Sequence, residues 1–416
     1  MDLPDVRVEK GAVSKLDRVD GDLRVGGNAR ITSKGGPVTV SGSAYFEGNA
    51  EVDCDFSCDS LTVARGTLRS TGSLKVSKKA DIAHTVKVEG QIGAGSIEVG
   101  GKMFAGSVAC AGPVTVGGIV EVAKTLEAGS VDVGGQVRVR GAVKAGGFDV
   151  GGKADVGGGT ISGAVRVKGS FESRGPLEFG DLQVYGRCNL AAGSKGQRVS
   201  TFGRLVVGGA FSCDDVKVEG ATDIGGDLNA GKVLANGKLS VKGLLAVAGA
   251  IESSGFGDVT GEVSGTDLRV GGRFRAKKIV LTNEAEVAGE LETQEGLKAK
   301  SVKLGSGTRC RGPLVGERVE IGKSSLALLS WGGSWAGQSI RAHAIGRMTD
   351  AQDLYGDEVV LGRNSRCWKI FAKRVEVADG CIAEQVVYTE ELRGATSRAF
   401  FTRPPERAQS LPPFPL

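Results

Sequence analysis

Apolar positions along this chain recur in pairs separated by one residue, and the pairs recur every seventeen residues: Ile97/Val99, Val114/Val116, Val131/Val133, Phe148/Val150, Val165/Val167 and Leu182/Val184. Residues i and i+2 of an extended strand point to the same side, so each pair predicts a short strand with one apolar face. Glycine stands two positions before every pair, at Gly95, Gly112, Gly129, Gly146, Gly163 and Gly180, so strand and corner repeat together. A second track follows at Val120/Val122, Val137/Val139, Ala154/Val156, Phe171, Leu205/Val207, Ile224 and Leu239/Val241, and a third at Leu126, Val143, Ile161, Leu177/Phe179, Phe211, Leu228 and Leu245. Three short strands per seventeen-residue turn predict an all-β fold: a single long parallel β-helix in which each coil buries its apolar side against its neighbours.

From Leu182 the phase continues through Val199, Val216/Val218 and Val233 to Ala250 beside Ile251, where one extra residue enters. It resumes at Leu268/Val270, Val287, Val302/Leu304 and Val319/Ile321, and looser versions precede it at Leu23/Val25, Val38/Val40, Leu61/Val63, Leu74/Val76 and Val86/Val88. This reading divides the chain into a short tail (1–17), a β-helix of roughly eighteen coils (18–325), an aromatic-containing insertion or cap (326–357), terminal coils (358–396) and a proline-rich disordered tail (397–416).

The 68 glycines lack a G-X-Y period, which excludes collagen, and 40% hydrophobic residues exclude a disordered linker, so glycine is expected at corners. Doubled glycines such as Gly117-Gly118 and Gly134-Gly135 sit where the first strand ends. A net charge of +5 with both signs interleaved on outward positions gives no basic stripe, so nucleic acid is not expected as a partner. The opening residues lack the apolar core of a secretory signal and no run is long enough for a transmembrane helix; the expectation is a cytoplasmic protein. The tail holds Arg393, Arg398, Arg403 and Arg407 among aromatics, a composition that suits an anionic membrane surface or a recruited protein.

Candidate chemistry is sparse. His84 and His343 are the two histidines, neither at zinc-ligand spacing, and Cys54 and Cys58 lack a second pair nearby, so no metal site is expected. The eight scattered cysteines read as small core residues. Gly147-x4-Gly152-Lys153 and Gly226-x4-Gly231-Lys232 approach a phosphate loop but lack its Ser/Thr, and both fall in the repeat, so no cofactor is expected. Asp132 and Asp149 stack one coil apart, yet coils 97 to 250 have no inserted loops to wall a cleft. The reading is of a protein that is not an enzyme.

The segments KGAVSKLDRVDGDLRVGGNARI, VTVSGSAYFEGNAEV and VDVGGQVRVRGAVKAGGFDVGG resemble the polymer-forming cytoskeletal family, the bactofilins and their archaeal relatives. The shared elements are G-D-L-x-V-x-G followed by apolar-x-apolar-x-G, over about residues 18–325. The resemblance implies a right-handed parallel β-helix that stacks end to end into nucleotide-independent filaments, a scaffold for cell shape or protein localisation. This chain departs in being about three times the length of the usual family core and in its C-terminal insertion and tail.

An uncapped solenoid exposes unpaired backbone and an apolar cross-section at its ends. Leu23, Val25, Ala29 and Ile31 are therefore the candidate polymer interface, and Trp331, Trp335 and Trp368 the candidate C-terminal cap. Two alternatives accompany the self-assembling scaffold: a β-helical scaffold subunit of a large oxidoreductase, of the glutamate synthase or formylmethanofuran dehydrogenase type, or a carbohydrate-active or adhesin β-helix.

Overall fold

The computed structural model describes residues 5–322, 348–394 and 399–413. Among them every paired segment is a parallel strand and none is helical, and the strands stack as a β-solenoid of about 22 turns, one per ~17 residues. The chain forms two compact units, Met1–Gly208 and Gly209–Leu416.

In the first unit the three sequence tracks become three faces, here A, B and C in chain order. Face A holds the pairs that define the repeat: Val131, Phe148, Val165 and Leu182 are successive register partners. On face B Val120 pairs with Val137 and Val137 with Ala154, and on face C Leu126 pairs with Val143 and Val143 with Gly159. Burial alternates along each short strand, with both members of the apolar pair inside; Val133, Val150, Val167 and Val184 are at 0% exposure. β-Branched side chains suit this pleated, close-packed interior. Phenylalanine occupies the same inward positions where space allows, and Phe46 with Phe56 and Phe148 with Phe171 meet edge to face at centroid separations of 6.0 and 6.1 Å.

Several strands turn a corner without ending. Thr85–Val99 pairs with Lys102–Val116 across all three faces, and its register slips between Val88 and Gln91 and again between Ala94 and Ile97, where the chain bends. The corner between faces A and B is stricter. A Cβ on Gly135 would lie 2.1 Å from the Gly118 carbonyl oxygen, and one on Gly152 only 2.0 Å from that of Gly135. Those same carbonyls accept the N–H of Gln136 and Lys153, each at 2.9 Å. The second glycine of each doublet is thus required by the close approach of successive coils, and the column forms a spine of backbone contacts along the solenoid.

The fold begins earlier than the apolar words alone indicate. β1 (Val6–Val8) and β2 (Val13–Leu16) lie within the segment read as a tail and form a coil with β3 (Arg18–Val19), with β1 paired to β4 (Leu23–Val25) and β2 to β5 (Ala29–Ser33). β2 breaks the apolar pattern because Ser14 stands over Ile31 while Val13 faces out at 70% exposure.

The second unit repeats the plan. The extra residue near position 250 is real: Val233 pairs with Ile251, and spacing then returns to seventeen with Leu268. After Ile321 the ladder resumes with Val319 opposite Val359, so one coil carries a large insertion while the stack continues. It resumes at Thr349–Asp350, ahead of the expected boundary, because this face B strand buries a hydroxyl rather than an apolar pair: Thr349 Oγ1 accepts from Gly307 N and donates to Gly305 O. In the segment read as a disordered tail, Phe400–Phe401 and Glu406–Arg407 pair with the preceding strand Ile382–Arg393, and Pro404 and Pro405 lie between them, where no ladder donor is needed.

Candidate functional site

Outward-facing residues of each column are the surface available for function. On face A of the second unit they alternate in sign. Arg269 lies 3.7 Å from Glu252 and 3.8 Å from Glu286, and Arg318 bridges Glu320 (2.7 Å) and Glu358 (2.8 Å). Such pairs are half-exposed and individually weak, so they tune register between coils more than they create a site. Asp132 and Asp149 are adjacent on face A of the first unit, on an open strand surface.

One carboxylate differs. Asp155, on face B, is 5% exposed because arginines from the coils on either side cover it: Arg174 donates to Oδ2, and the Arg138 Nε lies 3.9 Å from the same oxygen. Asp155 Oδ1 and Arg138 Nε are both buried with no hydrogen-bond partner. The sequence signal was the seventeen-residue step from Arg138 to Asp155, one outward position in consecutive coils. The cluster is closed on itself and clamps three coils together. Beside it, Lys87 Nζ sits 5.3 Å above the Phe104 ring in an open groove of about 400 Å³ that Arg138 and Arg140 also line.

The candidate interface residues lie one coil inside the end. Leu23, Val25 and Ile31 are at 0% exposure and Ala29 at 2%, covered by β1 and β2. The outermost N-terminal edge among the described residues is β1–β3. There Val6 donates to Asp22 O and Val8 accepts from Gly26 N, which turns the N–H and C=O of the intervening Arg7 away from the stack. Trp331 and Trp335 lie outside the described residues. Trp368, on Ser365–Val377, is 53% exposed.

The cysteines are core residues. Seven of the eight are buried, Cys54 being the half-buried one, and burial pushes the thiols of Cys58, Cys188, Cys310 and Cys367 up to about 12. Among the described residues no group of three or more His, Cys, Asp or Glu is placed to hold a metal ion, and no helix is long and apolar enough to cross a membrane. Of the two glycine segments that approach a phosphate loop, the first leads into the strand Lys153–Val156 and the second lies largely inside the strand Leu228–Ala235.

Neither a protein-family model, nor a curated protein, nor a solved structure matches this chain.

Sequence reasoning missed one surface. On face C of the second unit the outward column reads Val280, Lys298, Val315, Tyr355, Phe371, Val387. The signal was present as strands apolar on both sides, Leu314-Val315, Leu354-Tyr355, Ile370-Phe371 and Val386-Val387, which do not follow the apolar-x-apolar pattern of the repeat.

Proposed function

We propose that this chain is a structural protein that associates with itself by stacking coil on coil, end to end, without nucleotide. In this reading it serves as a scaffold of the kind its resemblance to the bactofilins implies. The observation that carries the reading is the edge of β1–β3. An exposed parallel edge is a template for another strand, and here the template has the same geometry as every interior contact of the solenoid, so a further coil meets it in register. The outward columns fit the role, since alternating charges hold coils in step.

The test is a pelleting assay of full-length protein against Arg7→Pro. Proline removes a donor that the solenoid itself does not use and sets a ring against an incoming coil, while the bonds of Val6 and Val8 to the second coil stay. The expected result is sedimentable wild-type polymer and a variant that stays in the supernatant with an unchanged circular dichroism spectrum. A wild-type protein that never pellets contradicts the reading, as does a variant that pellets equally well.

A further inference from the structure

We propose that face C of the second unit is a lateral contact between two copies of this chain, separate from the end-to-end contact. In the first unit the same column runs Thr39, Ser57, Lys75, Gly93, Ala109, Glu127, Lys144, Thr160, Glu178 and Lys195, with no large apolar side chain. In the second, five of six consecutive positions from Val280 to Val387 are apolar or aromatic. Val280 is 38% exposed and Tyr355 and Phe371 are half-buried, whereas Val315 and Val387 are already buried at 4% and 7%; the accessible part of the column is therefore Val280 and the Tyr355 and Phe371 rings, which stack at 5.1 Å with 16° between planes. Val280 and Val315 line an open groove of about 430 Å³. A strand apolar on both sides is the mark of a sheet covered on both faces.

The rim of the groove selects a second copy as the occupant. Lys298 and Lys300 stand on one coil, and Glu317 and Asp357 on the next two. Asp357 also meets Lys373 at 2.9 Å, whereas Lys298, Lys300 and Glu317 have no ion-pair partner among the described residues. A two-fold axis lying in the contact along the strand direction reverses coil order, and so brings the basic coil of each copy against the acidic coils of the other. A contact of that symmetry needs a self-complementary patch, which this is. Six coils at ~4.8 Å by strands of ~10 Å give a floor of roughly 290 Å² per copy, well below the ~800 Å² of a standard interface, so pairing is weak for single molecules and strengthens when copies are already linked.

The experiment is sedimentation equilibrium of the full chain carrying Arg7→Pro, over a range of concentrations, with three further variants: Lys298→Glu/Lys300→Glu, Glu317→Lys/Asp357→Lys, and all four together. The expected result is a dimer at high concentration, a dissociation constant raised about tenfold or more by either charge reversal, and recovery when the two are combined. A monomer at every concentration overturns the proposal. So does a dimer indifferent to both reversals, or a four-fold variant that stays monomeric. Phe371→Lys separates cover by the chain itself: a monomer whose melting temperature falls would show that an intramolecular segment occupies the face. End-to-end stacking is lost with Arg7→Pro and lateral pairing with the lysine reversals, so the failure of one reading is distinguishable from the failure of the other.

Discussion

Val150 shows how little freedom an inward position has. It lies at 0% exposure between Val133 and Val167, its register partners above and below. An aspartate there would be an unpaired buried charge costing several kcal/mol, and because each coil leans on its neighbours the loss spreads to adjacent turns. Val150→Asp is expected to lower the melting temperature sharply, whereas outward Thr115→Asp should leave it nearly unchanged; equal melting curves would show the inward assignment to be wrong. The cysteines make a second residue-scale prediction. Burial holds the thiols of Cys58, Cys188, Cys310 and Cys367 at about 12, above the ordinary 9.0. The folded state therefore keeps protons that the unfolded chain releases, so this contribution is fully present below pH ~9 and is lost as pH rises toward ~12. Urea midpoints should fall across that interval, and Cys188→Ala should flatten the fall; a midpoint that is flat from pH 9 upward in the native sequence would contradict it.

At the scale of the element, strands were legible where they carried apolar pairs and obscure where something else filled the inward slot. The run from 97 to 250 could be read position by position because its coils have equal length and their glycine doublets recur. β2 escaped because serine and leucine fill its inward positions, Thr349–Asp350 because a threonine hydroxyl is satisfied inside the corner, and the last strands because prolines surround them. For the first of these reasons the candidate interface residues Leu23, Val25, Ala29 and Ile31 turn out to lie one coil inside the outermost N-terminal edge of the described residues. The Asp155 cluster was invisible as chemistry, since a charge at an outward position reads as solvated until the arginines of neighbouring coils are laid over it. Its energetic weight can be measured. Asp155→Ala leaves two half-exposed arginines without the carboxylate between them, and their exposure scales the ~3–5 kcal/mol loss of a fully buried pair down to about 1–2 kcal/mol. Chemical denaturation of the variant should show a loss of that size, and a change below the ~0.5 kcal/mol typical of surface substitutions would mean the cluster does not clamp the coils.

For the whole molecule, architecture and function separate cleanly. A repeat of one short strand-and-corner word fixes a stack, and a stack concentrates its unused hydrogen-bonding groups at an edge rather than in a pocket. That is why the periodicity carries the fold so far, while the function proposed above is argued from the edge of β1–β3, from the resemblance to a polymer-forming family and from the apolar face C of the second unit. Only the first and last of these involve named surface residues, and each has a variant that removes it without entering the core. The central claim is self-assembly of an intact solenoid. Negative-stain electron microscopy of the purified full-length protein, at low and physiological salt and with no nucleotide added, tests it most directly: thin unbranched filaments are the predicted result, and isolated particles at every concentration would contradict it.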